Sequence, residues 1–400
     1  MAELTGRKAG RKSGRMIDPV VLAQALIRRP SVTPEDAGAL GVLQEALKPL
    51  GFDCVPLPFD GDGGPHTENL YARIGIGGPV FCFAGHTDVV PPGDAGLWKH
   101  DPFGGVIENG ILYGRGAVDM KTSIAAFAAA CERHLQNGPP KGSIIFLITG
   151  DEEGDAINGT PKLLRWLKEQ NIALDHCLIG EPSSTVTIGD GIKVGRRGSL
   201  NTRVSVEGVQ GHAAYPGKAK NPVHALAAFI TRLTRTPLDS GTALFEPSTL
   251  VFSTVDVGNP ATNVIPAKAT GGFNVRFNDA HNFETLKAQL NAAAQAVSDE
   301  TGCVVTLTFN LSGVSFAVAP GPFTDLLDRA IASVTGEKPE HSTSGGTSDG
   351  RFIKDLCPVV ELGLMNATMH QSNECVPLAD IAKLTDIYTA ILDAYFSAEP

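Results

Sequence analysis

Short continuous apolar runs alternate with stretches of helical period over the first half of the chain. Residues 143–149 give the clearest strand: Ile144, Ile145, Phe146, Leu147 and Ile148 follow one another without a polar break, with β-branched and aromatic side chains in excess. Residues 70–76, 79–84 and 176–179 read as further strands. Helices are predicted over 18–27, 38–50, 122–136 and 160–170. Asp18 is the expected N-cap of the first, with Pro19 at its first helical position, and Gly51 ends the second. Alternation of this kind predicts an α/β sheet with helices on its faces.

After about residue 194 the pattern changes. Residues 199–206 alternate as a half-exposed strand, 222–233 form an amphipathic helix, and 250–257 and 269–276 are strands. A helix over 283–297 and a strand over 304–311 complete the order βαββαβ, which is ferredoxin-like. A helix over 322–334, a short strand at 359–362 and a closing helix over 378–396 follow. The expected organisation is a discontinuous domain of residues 16–194 and 313–400, interrupted by an inserted domain of residues 195–312.

Four hundred residues suit two such domains better than one core. The formal net charge of -10 gives no global support for nucleic-acid binding. No run of 18 apolar residues occurs, so no membrane association is expected. The seven cysteines (54, 82, 131, 177, 303, 357 and 375) are scattered without a CxxC pair. That set suggests reduced thiols and a cytoplasmic protein, not a disulfide framework or a thiolate zinc site. The first fifteen residues, MAELTGRKAGRKSGR, are basic and polar with no apolar segment after them. They read as a disordered tail, or as residues ahead of a true start at Met16, and not as a secretory signal.

The strand at 143–149 ends in Gly150, and then Asp151, Glu152 and Glu153 follow in a row. Adjacent acids at the carboxyl end of a buried strand need a cation nearby or a shared proton. A solvated turn opening a helix would also accommodate them. Four more polar clusters stand at strand ends or in loops: Gly85-His86-Thr87-Asp88, the stretch Gly114 to Lys121 carrying Asp119, Gly180-Glu181-Pro182, and Met365 to Cys375 carrying His370. Each alone has an ordinary explanation as a cap, a turn or a structural histidine. Together His86, Asp119, Glu153, Glu181 and His370 supply two imidazoles and three carboxylates without a thiolate, a set that suits divalent zinc, cobalt or manganese. GRGAVD is not a dinucleotide fingerprint, because Asp119 stands where GxGxxG requires its last glycine.

GHTDVVPPG, GRGAVDMK, TGDEEG, GEP and the late His370 occur in the order and spacing of the co-catalytic zinc aminoacylase and carboxypeptidase clan, which the chain resembles from about Met16 onward. GRRGSL, GVQGHAAYP, ATNVIP, SGGTSDGRF and MNATMHQSNECV further resemble the branch of that clan that removes succinate from N-succinyl-L,L-2,6-diaminopimelate. The resemblance implies a zinc-peptidase-like catalytic domain with a central mixed sheet, and an inserted domain that acts as lid and homodimer contact. It also implies two divalent ions per chain, zinc with cobalt as an alternative. Asp119 would bridge them, His86 and Glu181 would complete one site, and Glu153 and His370 the other. Glu152 would be the general base. Asp88 would be the carboxylate that orients the His86 imidazole. The peptide bond between Asp119 and Met120 would be cis. His212 would reach across the dimer to the other active site as the oxyanion donor. Lys193, Arg196 and Arg276 would be the cations for substrate carboxylates, and Tyr215, Asn263, Thr347 and Asn366 would be further substrate contacts. For Arg196 and Arg276 surface ion pairing, and for Tyr215 plain packing, are the ordinary alternatives.

Two other readings compete. The metal ligands alone do not separate a desuccinylase from a related deacylase, such as an acetylornithine deacetylase; the additional motifs favour the former. A homologue that binds metal without catalysis would lack Glu152 or a ligand, and none is missing.

Overall fold

The central sheet has eight strands in the spatial order Asp53–Pro56, Asn69–Gly75, Ser143–Thr149, Val80–His86, His176–Ile179, Val359–Glu361, Gly191–Lys193 and Glu340–Ser342. It is seen in a computed structural model that describes residues 16–397. The tail expected over residues 1–15 lies outside the described residues. The four middle strands, Ser143–Thr149 to Val359–Glu361, are mutually parallel, and the sheet as a whole is mixed. Ser143–Thr149 and Val80–His86 are buried at every position, as their unbroken apolar runs require of strands covered on both faces.

The helices pack where the sequence places them. Asp18 caps Pro19–Ile27 by accepting from the peptide N–H groups of Val20 and Val21. The second predicted helix is α-helical over Ala39–Leu47, tightens to a 3-10 turn over Lys48–Leu50, and stops at Gly51 in the left-handed conformation (φ +98). Lys121–Leu135 is buried almost all round, between Pro19–Ile27 and Leu378–Ser397, which is why its sequence is alanine-rich and not amphipathic. Phe127 from this helix stacks on Phe83 at 4.1 Å and meets Phe146 edge-on at 5.2 Å. Tyr388 closes the cluster and donates its buried hydroxyl to the Leu362 carbonyl at 2.6 Å.

A second sheet takes the order Thr249–Asp256, Lys268–Phe277, Gly198–Glu207, Val304–Gly313, antiparallel throughout. Helices Pro222–Thr234 and Phe283–Thr301 complete the ferredoxin-like arrangement. Leu226 and Phe229 of one helix and Leu286, Leu290 and Val297 of the other share a separate core with Leu200, Val204, Phe273 and Val275. Along Gly198–Glu207 the alternate residues Asn201, Arg203 and Glu207 are exposed, so the opposite face of the sheet is polar.

Several elements have no counterpart in the sequence reading. Asp53–Pro56, Gly191–Lys193 and Glu340–Ser342 extend the central sheet, yet they are three or four residues long and carry no apolar run. A three-stranded sheet joins Cys375–Pro377 to Ile111–Tyr113 and Val106–Glu108, and so draws the chain after His370 against the chain before Asp119.

Candidate active site

The four parallel strands all point their carboxyl ends to one place, the usual position of a ligand site on an open α/β sheet. His86 is the last residue of its strand and lies opposite Thr149 of the next, one residue before Gly150 and the three acids. Glu181 follows His176–Ile179, and the loop bearing His370 follows Val359–Glu361. Asp119 stands at the N-terminus of Lys121–Leu135, and its peptide bond to Met120 is cis, as the resemblance implies. The Met120 side chain lies beneath the site. A Cβ at Gly85 would come within 2.3 Å of the Met120 methyl, and one at Gly180 within 2.6 Å. Glycine in GHTD and GEP is therefore the space that lets Met120 pass between two strand ends.

Asp119 faces two histidines with two different oxygens. Its Oδ1 is 3.1 Å from His86 Nε2, and its Oδ2 is 3.3 Å from His370 Nε2. Glu181 stands 3.4 Å from His86 Nε2, and Glu153 stands 3.0 Å from His370 Nε2. Three groups have ligand atoms within 4.8 Å of one another: His86–Asp119–Glu181 and Asp119–Glu153–His370, with Asp119 common to both, and His86–Glu152–Glu153, which sets Glu152 against the same cluster. His86 Nδ1 donates to the Asp88 carbonyl at 2.9 Å. A carbonyl only accepts, so the proton is fixed on Nδ1 and the Nε2 lone pair is left for a cation.

Charge is the second argument for a metal pair. His86, Asp119 and Glu181 are buried, Glu152 and Glu153 half-buried, and only His370 is exposed. Hydrogen bonds from its ring to the Asp119 and Glu153 carboxylates push His370 up to about 10. Burial and the Asp119 charge push Glu181 up to about 7. Burial and then Glu181 hold Glu152 well above the usual carboxylate range. Burial opposes ionisation of Asp119, but the hydrogen bonds from His370 and His86 outweigh it and hold its carboxyl low. Four carboxylates and two imidazoles in one pocket fit a pair of oxygen- and nitrogen-liganded metal ions.

Two expected roles, those of Asp88 and Arg196, come out differently. The Asp88 carboxylate is 3.6 Å from His86 Nδ1 and is not its nearest partner. It accepts instead from the peptide N–H groups of Glu152 at 3.2 Å and Glu153 at 3.0 Å, so it holds the acidic turn while its carbonyl holds the imidazole. Arg196 is neither a free cation nor a surface pair. It is buried and forks onto buried Glu361, Nε to Oε1 at 3.0 Å and Nη2 to Oε2, and Ser348 donates to the same carboxylate at 2.5 Å. Burial opposes its charge, but Glu361 more than restores it. Lys193 is also buried and donates to Ser344 Oγ at 2.9 Å and Ser342 Oγ at 3.3 Å. Burial and then Arg196 lower its pKa.

The remaining residues do not gather in one place. Thr347 lines a cleft of about 570 Å³ together with Glu152 and Glu153, and Asn310 and Ser312 of the second sheet form its other wall. Arg351, a cation that sequence reasoning did not single out, lines the same cleft and stacks on Phe352 at 4.6 Å. Asn366 donates its peptide N–H to the Ser184 carbonyl at 3.1 Å, three residues beyond Glu181. Arg276 is half-buried with its Nη1 unpartnered, and burial and then Arg197 and Arg196 lower its pKa. His212, Tyr215 and Asn263 gather on an exposed loop pair of the second unit. Strand Gly211–His212 pairs with Val264–Ile265, the Ala213 N–H donates to the Asn263 carbonyl at 2.9 Å, and the His212 and Tyr215 rings are 5.7 Å apart. Among the described residues, no hydrogen bond joins these three to the ligands on their own chain.

A paired-ligand cluster with a free carboxylate beside it, on the strand ends of a mixed sheet, defines a metal-dependent hydrolase. The chain belongs to peptidase family M20/M25/M40, whose profile matches residues 82–394. It is 54% identical over 385 residues to a succinyl-diaminopimelate desuccinylase of Rhodospirillum centenum, covering 96% of this chain and 99% of that one. A protein of the same name from Rhodopseudomonas palustris is 53% identical over 383 residues, covering 95% and 99%. The fold is that of aminopeptidase PepT from Bacillus cereus, with a TM-score of 0.77 at 22% identity over 95% of this chain and 100% of that one. A Bacillus subtilis protein described as a dinuclear metal-binding peptidase of family M20 aligns with a TM-score of 0.67 at 16% identity over 94% and 96%.

Proposed function

We infer that this chain hydrolyses N-succinyl-L,L-2,6-diaminopimelate to succinate and L,L-2,6-diaminopimelate, a step in forming diaminopimelate and lysine. The observation that carries the hydrolytic reading is Asp119 set between His86 and His370 with Glu152 beside them. The choice of acyl group and amine rests on the relatives that match 95% and 96% of this chain.

His86, Glu181 and Asp119 would hold one divalent ion, and Asp119, Glu153 and His370 the other. Bound there, such ions lower the pKa of water toward ~7 and polarise the amide carbonyl. Glu152 takes a proton from the attacking water as its oxygen adds to the acyl carbon. It returns that proton to the nitrogen as the C–N bond breaks, and ends as it began. Asp88 keeps Glu152 and Glu153 in register by holding their peptide N–H groups. Zinc is the ion we assign, with cobalt able to replace it.

Residues 16–194 and 313–400 serve as the catalytic domain, and residues 195–312 as the lid and the contact of a homodimer. The exposed His212 reaches the active site of the second subunit, where its ring stabilises the oxyanion; Tyr215 and Asn263 travel with it. Lys193 is available to a substrate carboxylate because its two serine partners are neutral, and Arg276, Thr347 and Asn366 add further contacts. Arg196 acts through Glu361. Seven unpaired cysteines accord with a reducing cytoplasm, and among the described residues no helix is long and apolar enough to cross a membrane.

Assaying hydrolysis of N-succinyl-diaminopimelate against N-acetylornithine, with and without zinc, tests the reading. Zinc-dependent turnover of the succinyl substrate by a factor of about a hundred or more over the acetyl one is expected. A preference for N-acetylornithine would replace the substrate, and metal-independent turnover would remove the mechanism.

A further inference from the structure

Glu374 and Arg115 form a buried pair in the wall of the site. The Glu374 side chain has no exposure, and its two oxygens take four donors. Oε1 accepts the peptide N–H of Val118 at 2.7 Å and of Asp119 itself at 3.1 Å. Oε2 accepts the Gly116 N–H at 3.2 Å and Arg115 Nη1 at 2.7 Å. The Glu374 carbonyl takes the Gly114 N–H at 3.0 Å. Arg115 extends the pair outward. It donates to the carbonyls of His370 and Pro91 at 3.4 Å each and of Gln371 at 3.3 Å, and its guanidinium lies 5.3 Å from the Trp98 ring.

These contacts end on the backbone of the ligands. One reaches the peptide nitrogen of Asp119 and another the peptide oxygen of His370, and Pro91 lies five residues beyond His86. Residues 114–120 have no strand or helix of their own to fix them, and His370 sits in the left-handed region at φ +62. A buried carboxylate with four donors, one of them a guanidinium, is compensated and directional. Removing it would leave the N–H groups of Val118 and Asp119 without an acceptor.

We propose that Glu374 is a positioning residue for the metal pair, which with Arg115 sets the loop of Asp119 against the loop of His370. The proposal rests on the dinuclear reading above but not on the choice of substrate. Groups that support metal ligands from behind are commonly worth 10–100-fold in metal affinity. Here the expected loss falls on the 3.3 Å relation between Asp119 Oδ2 and His370 Nε2.

The test is zinc binding by the full chain without substrate, followed by competition with a chromophoric chelator. Two variants are compared with wild type. Glu374→Gln keeps the shape but turns an NH2 group on Arg115 or on the peptide N–H groups. Arg115→Lys keeps the charge but loses the fork that reaches His370 and Pro91. Thermal unfolding of each metal-free protein is recorded alongside. At least one ion held about 10–100-fold more weakly in the variants, and altered visible absorption of the cobalt-loaded forms, is the expected result. Wild-type affinities in whichever variants fold, even with a lowered metal-free melting temperature, would reduce the pair to general stability and overturn the proposal. Uptake of a single ion by the wild type would sink the dinuclear reading, whereas failure of the substrate assay alone would leave this comparison intact.

Discussion

The carboxylate of Asp88 holds the peptide N–H of Glu152 at 3.2 Å. The residue two places after His86 thus fixes the backbone of the proposed proton carrier, and its second oxygen fixes Glu153. One short segment, His86 to Asp88, positions an imidazole through a carbonyl and an acidic turn through a side chain.

Asp88→Asn should therefore lower kcat about 10–100-fold, the range for groups that support a site from behind, with metal content unchanged. The carbonyl that orients His86 survives the substitution, whereas one N–H of the acidic turn meets an NH2 group. Kinetics together with elemental analysis decide. Loss of metal in proportion to activity would mean that the carboxylate governs His86 after all.

Glu152→Gln should keep the fold and two metal ions, and lose at least ~10²-fold in kcat, the lower end of general acid–base contributions. Near-wild-type turnover at full metal content would take Glu152 out of the mechanism.

Metal stoichiometry separates the two sites. Asp119 belongs to two of the three candidate ligand groups and Glu181 to one. Asp119→Ala should bind fewer than one tight ion per chain, and Glu181→Ala close to one, by equilibrium dialysis and elemental analysis. Equal losses in both would contradict a shared Asp119.

Arg196→Met should cost about 3–5 kcal/mol of stability, because it strands the Glu361 carboxylate in a buried site. Chemical denaturation measures it. The double change Arg196→Met with Glu361→Leu should recover most of that loss. An unchanged midpoint in the single variant would return Arg196 to the role of a substrate contact.

The proposal that active sites are shared across a dimer makes a prediction of its own. Glu152→Ala and His212→Ala chains should each be nearly inactive. After unfolding, mixing and reassembly, a heterodimer holds one site with both residues intact, and activity should reappear. If mass spectrometry detects mixed dimers and no activity returns, His212 works within its own chain or not at all.

What the sequence made legible is tied to pattern. Unbroken apolar runs gave Ser143–Thr149 and His176–Ile179 their observed limits, and the residues proposed as base and ligands, Glu152, Glu153 and Glu181, stand in the turns just beyond them. Alternation after residue 198 gave the second sheet. What stayed hidden depends on distant pairing. Glu374 sits in a loop among polar neighbours, and its partner Arg115 lies 259 positions away. Arg196 and Glu361 are 165 apart, and nothing local distinguishes a buried arginine from an exposed one. Asp88 was placed at the right imidazole, but the carbonyl and the carboxylate of one residue compete for that job, and only geometry decides between them.

The separation of the ligands along the chain also orders its synthesis. His86, Asp119 and Glu181 emerge from the ribosome early, but His370 follows Glu153 by 217 positions, with the whole second unit between them. Domains fold as they emerge, yet the strand Val359–Glu361 and the loop that carries His370 and Glu374 have to return to a sheet half made long before. On the dinuclear reading proposed above, the second ion would therefore enter late in the life of each nascent chain, and a polypeptide halted within the second unit would have the groups proposed for one metal and none of the Glu374 contacts to Asp119.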